Sequence, residues 1–112
     1  MLTEAMTWFL CEKVLGWEPW GDGRWYCHNP GRGRRALRRT PDFTTWEGFG
    51  LLLTALAKDN KRPAIWHNSD GWNVEVEAQW NVAVEEPRLT SRDDPRVALA
   101  LAAAQAYGYK EE

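Results

Sequence analysis

The sequence predicts an α+β fold, in which three helices pack with a small, antiparallel-rich sheet in the order helix, strand, helix, strand, strand, helix. Three observations support this prediction. Apolar residues recur with helical spacing in two stretches, apolar and polar residues alternate around a Ser-Asp-Gly turn, and an Asp-Pro pair precedes an alanine-rich stretch. Because 112 residues fit one domain, we expect a single domain over residues 1–112.

The first helix is predicted over residues 2–15. Met6 and Leu10 lie on one broad apolar face, whereas Trp8 lies away from it, so the helix is apolar on more than one side. Such a helix is either sandwiched within the fold or in contact with another subunit. Gly16 is a natural stop, because glycine readily adopts the left-handed conformation that ends helices.

A short strand is predicted next, over residues 24–28, because aromatic residues follow a Gly-Asp-Gly turn there. Asn-Pro-Gly at residues 29–31 ends this strand. The following eight residues, 32–39, contain five of the ten arginines and are named here the arginine octet. We expect the octet to form a loop.

The middle helix is predicted to end at Lys58 and to begin at either Pro41 or Thr44. Proline suits the first turn of a helix, whereas Thr44 has capping-box spacing with the glutamate three residues later, so both starts remain open. Gly48 and Gly50 are poor helix formers. We expect each of them to allow a close approach of a neighbouring element.

A β-hairpin is predicted over residues 63–80, with its turn at residues 69–71. The same alternation continues through Val82 and Val84, which indicates an extension or another strand after a bend. The opposite, polar face of the second strand is expected to meet water. The apolar face carries Trp72, Val74, Val76, Ala78 and Trp80.

The last helix is predicted to start at Asp94 as the N-cap and Pro95 as the first helical residue. Its body, residues 97–107, is rich in alanine and leucine and nearly uncharged. Such a helix lacks a polar face for solvent, so we expect it to be deeply packed.

Three segments resemble the phage ABA-sandwich domain family of small bacteriophage proteins. Glu-Lys-Val-Leu-Gly-Trp at residues 12–17 resembles the end of that family's first helix, and Thr-Pro-Asp-Phe at 40–43 resembles the approach to its middle helix. Asp-Asp-Pro at 93–95 resembles the start of its last helix, although residues 100–103 lack the family's usual Cys-Arg pair. The resemblance implies a fold and a phage origin, and it supplies no catalytic residues.

The composition argues against catalysis by a metal or a nucleophile. Cys11, Cys27, His28 and His67 are the only soft ligands, and adjacent strand residues such as Cys27 and His28 point to opposite faces. Cys11 lies in an apolar helix, where a thiol is unreactive. The carboxylates of Glu75 and Glu77 are typical of a solvated strand face. We therefore expect no enzyme activity, no metal and no cofactor.

The charges and aromatic residues point to an anionic, ring-bearing ligand. The formal charge is −2, but it is −7 when the octet is set aside, so the chain is acidic with one basic segment. Guanidinium groups bind phosphate through forked hydrogen bonds, and the eight tryptophans provide flat faces for stacking. The alternative reading, a hydrated basic loop without a ligand, remains open. The predicted ligand-binding residues are Arg34, Arg35, Arg38, Arg39, Thr40, Trp25 and Trp20.

The remaining tryptophans divide between the core and exposed positions. Trp8, Trp46 and Trp80 have core-like patterning, whereas Trp17 flanks a turn near the octet and Trp66 and Trp72 flank the hairpin turn. Because eight indoles do not fit easily into so small a core, we expect some of them to line a pocket or a protein interface.

The leading functional hypothesis is a non-enzymatic phage protein that sequesters a nucleotide-type immune signal of its bacterial host. The alternatives are a protein–protein inhibitor of a host enzyme and, less favoured because of the overall acidity, a nucleic-acid-binding accessory protein. We expect a homo-oligomer, most simply a dimer, in the host bacterial cytoplasm. The two cysteines form no secretory disulfide framework, and the sequence contains no apolar run of membrane-spanning length.

Overall fold

Helices and two antiparallel sheets of three strands each make up the described part of the chain, which confirms the predicted α+β class. The structure, a computed structural model, describes residues 2–29, 34–61, 63–76, 88–91 and 93–109. Three of the strands, at residues 18–21, 34–39 and 88–91, are absent from the predicted order. The elements are α1 (Glu4–Phe9, continued by a π-helical segment at Leu10–Val14), β1 (Glu18–Gly21), β2 (Arg24–Asn29), β3 (Arg34–Arg39), α2 (Trp46–Lys58), β4 (Pro63–Asn68), β5 (Gly71–Val76), β6 (Arg88–Ser91) and α3 (Pro95–Ala106).

The first helix changes type halfway along its length. It begins after Thr3, whose side-chain oxygen accepts a hydrogen bond from the Met6 amide at 3.1 Å. The π segment follows, and the Leu15 amide bonds to the Leu10 carbonyl at 2.9 Å, five residues back. Gly16 then takes a φ of +71°, which confirms the predicted stop.

The first sheet has the order β1-β2-β3 and includes most of the arginine octet. The predicted loop is wrong for residues 34–39, because β3 pairs with β2 along its whole length, from Arg24 opposite Arg39 to Asn29 opposite Arg34. Backbone hydrogen bonds to β2 stabilise this strand, although the sequence of residues 34–39 lacks the apolar–polar alternation that predicts a strand. Residues 32 and 33 of the octet lie outside the described residues.

Helix α2 begins later than either predicted start. Its N-cap is Thr45, whose hydroxyl accepts a hydrogen bond from the Gly48 amide at 3.2 Å. Asp42 accepts a bond from the Thr44 amide at 2.9 Å, so a local turn competes with the helix at the predicted positions. The predicted end at Lys58 is confirmed.

The two glycines of α2 have different surroundings. A β-carbon at Gly48 would lie 2.7 Å from the Phe43 Cα and closer still to the Asp42 carbonyl oxygen, so this glycine does allow a close approach. The same prediction is wrong for Gly50, where an added β-carbon would have no neighbour within 4 Å.

The predicted hairpin is confirmed as β4 and β5, which turn at Ser69 and Asp70 before Gly71, with a φ of +115°. Strand β6 completes the second sheet by pairing with β5. The predicted continuation through Val82 and Val84 lies outside the described residues, as do Glu77, Ala78 and Gln79 of the proposed strand.

Helix α3 is the centre of the core. Asp94 caps it and Pro95 opens it as predicted, and the helix contacts the second sheet, α2 and the π segment. Its packing confirms the expectation of deep burial. The largest fully buried side chains of the described chain are Trp25, Phe43, Leu10, Leu52, Leu56, Leu99, Val74, Val76, Asn73 and Cys11.

Two tryptophans expected in the core lie on the surface instead. Trp8 is 48% exposed, and its Nε1 donates to Glu12 Oε2 at 3.3 Å. Trp46 is 62% exposed at the first position of α2, where the Arg96 guanidinium lies 4.7 Å from its ring centroid. Helical spacing identified an apolar position in each case, but the neighbouring elements do not cover it. Trp80 lies outside the described residues.

Candidate functional site

A cleft of about 1180 Å³ separates α2 from the end of the first helix and the first sheet. It is named here the main cleft. One wall is a face of α2, and the other consists of residues 13–17 with contributions from Cys27 and Arg38 of the first sheet. Small-molecule sites are commonly clefts bounded by several elements, and the volume of this one lies slightly above their usual range.

The α2 wall is formed by residues spaced at helical intervals. Glu47, Gly50, Thr54 and Lys58 follow one another at three- or four-residue steps, so they lie on the same face of the helix. The two charged residues are at the ends of this row, and the two small residues are in its middle. The Thr54 hydroxyl donates to the Gly50 carbonyl at 2.9 Å.

The opposite wall is built by the π segment and the turn that follows it. Lys13 and Val14 are the last residues of the π segment, and the Trp17 amide bonds back to the Cys11 carbonyl at 3.0 Å. The π-helical geometry and Gly16 together lead the chain out of the helix, so that Trp17 borders the cleft. Single-turn π-helical insertions are found frequently at functional sites.

Arg38 connects the two walls. Its guanidinium lies 5.7 Å from the Trp17 ring centroid and donates to Glu47 Oε1 at 3.0 Å. This ion pair is solvent-exposed, since 42% of the Arg38 side chain and 74% of the Glu47 side chain are accessible. Such a pair has little net stability, so an anion that approaches Arg38 has a weak competitor.

A smaller cleft of about 270 Å³ adjoins the main one. It shares Trp17, Arg38 and Glu47 with the main cleft and extends to Arg39 and Thr40. The described end of the arginine octet therefore borders a concave surface, whereas the sequence predicted a loop that binds phosphate at the start of the middle helix.

The charges of the main cleft favour an anion by a small margin. Lys13, Arg38 and Lys58 supply positive charge, against the carboxylates of Glu47 and Asp59, and Lys13 also forms an exposed ion pair with Glu12 at 3.4 Å. Asp59 also accepts a short hydrogen bond from the hydroxyl of Tyr107. Burial, followed by this hydrogen bond, raises the pKa of Tyr107 well above its ordinary value, so the phenol stays neutral.

The predicted clamp of four arginines lies on a strand and not on a loop. Arg38 pairs with Trp25 and Arg39 with Arg24, and neighbouring positions of a strand fall on opposite faces of the sheet. The register likewise pairs Arg34 with Asn29, and the next residue, Arg35, with His28. Arg38 and Arg39 are therefore directed to opposite faces of the sheet, and the side chains of Arg34 and Arg35 lie outside what the structure describes.

Trp25 and Thr40 have a structural role in place of the predicted stacking role. Trp25 is fully buried against the core and the Trp8 ring, with the two ring centroids 4.5 Å apart. Its Nε1 donates to the Thr40 hydroxyl at 2.9 Å, and that hydroxyl donates to the Gly23 carbonyl at 2.9 Å. A buried indole offers no face to a ligand. Trp20 is 49% exposed on β1 and does not line either cleft.

The start of α2 is capped by residues of its own chain. Thr45 accepts from the Gly48 amide, and Asp42 accepts from the amide and the hydroxyl of Thr44. The Thr44 hydroxyl, the Thr44 amide and nearby Arg96 lower the pKa of Asp42, which keeps a negative charge at this end. The predicted anion site at residues 40–43 is therefore wrong in its use of free helix amides, because the helix starts later and is capped.

Lys13, Trp17, Gly50 and Lys58 were not among the residues predicted to bind ligand. One signal was present in the sequence: Gly50, Thr54 and Lys58 repeat at four-residue intervals, so small and charged residues share one helix face. The facing wall comes from a segment about forty residues earlier, and no sequence pattern places it there.

The described residues contain no cluster of three histidine, cysteine or acidic side chains able to hold a metal ion. Burial raises the pKa of the Cys11 thiol to about 12, so this sulfur remains protonated and unreactive at neutral pH. Among the described helices, none has the length and apolar character needed to cross a bilayer.

No protein-family model, curated protein or solved structure matches this chain. The resemblance to phage ABA-sandwich proteins therefore stays a prediction, supported by the three short motifs described above.

Proposed function

We propose that this protein binds an anionic, ring-bearing small molecule of the nucleotide class in the main cleft and leaves it chemically unchanged. The observation that supports this proposal is the meeting of an indole, Trp17, with three cationic side chains on one concave surface. Apolar residues such as Leu51 and Val14 form much of the remaining wall. A flat apolar ring with a charged tail fits that combination better than a sugar or a metal ion.

The strength of binding depends on the cations at the rim. A hydrogen bond between an arginine or lysine and a phosphate contributes about 1.5–3 kcal/mol when water is excluded. Two such bonds with the stacking of a base sum to about 4–9 kcal/mol, which corresponds to affinities from the millimolar to the submicromolar range. The ligand phosphate competes with Glu47 for Arg38, so the carboxylate limits affinity.

Calorimetry with ATP, cyclic AMP and NAD⁺ as probes tests the proposal. We expect at least one probe to bind, and the double variant K13Q/K58Q to weaken that binding at least about tenfold, because two charge-assisted bonds are lost. The matched control is Arg24→Gln, which removes an exposed cation of β2 that lines neither cleft. Absence of binding for every probe, or an equal effect of the control, would contradict the proposal.

The variant Glu47→Gln gives the opposite expectation. It removes the anion that holds Arg38 at 3.0 Å while keeping the size of the side chain. We expect tighter binding of an anionic probe, by about threefold to tenfold, since one competing charge pair is gone. An unchanged or weaker affinity would place the phosphate away from Arg38.

The absence of chemistry has its own test. We expect a bound nucleotide to be recovered intact after denaturation, when its mass is measured. Recovery of a cleaved or transferred product would overturn the non-enzymatic proposal. Retention without turnover is the behaviour of a sequestering protein, and the resemblance to phage proteins suggests a host immune signal in the bacterial cytoplasm as the natural ligand.

A second candidate function is inhibition of a host protein through an aromatic surface. The observation that favours it is Trp46, which is 62% exposed beside Phe49 and under Arg96. Tryptophan and arginine are enriched at the energetic centres of protein interfaces. A nucleic-acid role is a third candidate. Calorimetry with DNA at increasing salt concentration tests it, because binding to DNA weakens steeply as salt concentration rises.

A further inference from the structure

Gly50 occupies a position that neither helix formation nor internal packing explains. A glycine in the middle of a helix destabilises it relative to alanine. The backbone of Gly50 has no positive φ, and an added β-carbon would meet nothing within 4 Å. Gly48, by contrast, has the Phe43 backbone against it. The space beside Gly50 is the main cleft.

The residues next to Gly50 extend this bare region along α2. Ala55 ends at its β-carbon, and Thr54 directs its hydroxyl back to the Gly50 carbonyl at 2.9 Å, so its polar atom is engaged with the helix itself. The charged residues Glu47 and Lys58 stand at the two ends of the row. The middle of the α2 wall therefore combines small side chains with the apolar side chain of Leu51, whereas its ends are charged.

Trp17 supplies a flat surface to the facing wall. It is partly buried, and its ring has the Arg38 guanidinium 5.7 Å from its centroid. The indole and the exposed stretch of helix backbone line the same cleft, and a flat partner makes more dispersion contacts with each of them than a rounded one does.

We propose that the ring system of the ligand lies against the α2 backbone at Gly50, with Trp17 on the facing wall, and that this slot selects a planar nucleobase. This inference rests on the proposed function and adds which part of the ligand each wall of the cleft contacts. The ring enters the slot, and the phosphates extend toward the cations at the rim. A β-carbon at position 50 separates the ring from the helix and removes the dispersion contacts.

Paired probes separate the ring from the charge. ATP and inorganic tripolyphosphate carry similar negative charge, but only ATP has a base. We expect the wild-type protein to bind ATP at least about tenfold more tightly than tripolyphosphate, in line with the contribution of base stacking on an aromatic side chain. Calorimetry gives both affinities.

The decisive variant is Gly50→Ala. We expect its melting temperature to rise by about 4 °C, because alanine is the better helix former. We also expect its preference for ATP over tripolyphosphate to fall to near unity, while the affinity for tripolyphosphate stays unchanged. A folding defect would lower stability, so a more stable variant that has lost its preference for ATP excludes such an indirect cause.

Four further variants complete the comparison. Thr54→Ala removes further side-chain atoms from the α2 wall beside Gly50, so we expect it to keep or increase the preference for ATP. Lys58→Gln should weaken ATP and tripolyphosphate by the same factor, because it acts on the charge alone. Trp17→Phe keeps a flat ring and should retain part of the preference, whereas Trp17→Leu should abolish it.

Each remaining outcome overturns the inference. If Gly50→Ala keeps the preference for ATP, the base lies elsewhere, although the proposed function stands. If the wild-type protein binds both probes equally, the cleft recognises charge alone and no ring slot exists. If it binds neither of these probes and neither cyclic AMP nor NAD⁺, the slot and the proposed function both fail. A lower melting temperature of Gly50→Ala would assign this residue a packing role instead.

Discussion

Trp25 was predicted from the sequence to stack on a ligand, and the structure gives this residue a different role. Its indole faces the core, and its N–H holds the Thr40 hydroxyl at 2.9 Å. This hydroxyl donates a hydrogen bond to the Gly23 carbonyl, so the two hydrogen bonds connect the end of β3 to the turn before β2. An aromatic residue near a basic segment is thus part of the framework that positions Arg38.

Trp25→Phe tests this assignment. We expect the free energy of unfolding to fall by about 1–3 kcal/mol, because the hydrogen bond to Thr40 is lost and a buried ring becomes smaller. Urea denaturation measures this change. Ligand affinity of the folded fraction should stay within about twofold of wild type, since no stacking contact is removed. A loss of affinity without a loss of stability would return Trp25 to the binding site.

Cys11 makes a second prediction at the residue scale. Its pKa is raised from 9.0 to about 12 by burial, so the folded protein holds the thiol proton more tightly than the unfolded chain does. The stability associated with this group is therefore complete below pH 9 and is lost as pH rises toward 12. We expect Cys11→Ser to lessen the alkaline loss of stability, although the serine lowers stability at neutral pH.

Thiol labelling of the native protein checks the same burial. Cys11 should react with iodoacetamide at pH 8 only at the rate of unfolding, whereas added denaturant should expose it at once. Rapid native labelling of Cys11, located by mass spectrometry of peptides, would contradict its place in the core.

At the scale of elements, β3 and α2 explain how a basic segment meets a cleft. A loop would have let neighbouring arginines converge, but a strand separates them onto opposite faces. Arg38 then borders the main cleft because it pairs with Trp25, whose face of the sheet is the buried one. The same pleat directs Arg39 away from that face, although Arg39 still borders the smaller cleft.

Gly48→Ala tests the contact between α2 and the turn before it. An added β-carbon would lie 2.7 Å from the Phe43 Cα, and the obstacle is backbone, so it does not move aside cheaply. We expect the free energy of unfolding to fall by about 1–3 kcal/mol, as in other overpacked sites. Thermal melting of Gly48→Ala beside Gly50→Ala provides a matched pair. Two variants of equal stability would show that the two glycines have the same surroundings.

At the scale of the whole molecule, the prediction of a dimer needs a surface to support it. The uncharged α3 no longer supplies one, because it is buried within a single chain. The second apolar side of α1 still does, since Trp8 is 48% exposed there. Closed twofold symmetry is the commonest arrangement of such a surface.

Sedimentation velocity at micromolar concentration measures the oligomeric state directly. We expect twice the monomer mass for the wild-type protein, and a shift toward the monomer for Trp8→Gln, whose folding is checked by its melting curve. A monomer at every concentration would leave the exposed indole available for a different partner. The cleft proposal does not depend on this result.

The sequence by itself determined the α+β class, the β4–β5 hairpin, the end of α2 and the start of α3. Each of these depends on residues close together in the chain. Asp94 and Pro95 satisfy the first amides of α3 locally, and Gly71 permits the turn of the hairpin through its own conformation. Local signals of this kind need no knowledge of the rest of the fold.

Only the tertiary structure decided the strand character of residues 34–39, the burial of Trp25 and the position of the main cleft. The strand exists because β2 offers it hydrogen-bonding partners, and the cleft exists because residues 13–17, Arg38 and α2 meet from three distant parts of the chain. Periodicity reports which residues share a face of one element. It does not report which other element packs against that face. In this protein, the packing of the first sheet beside residues 13–17 places Arg38 next to Trp17.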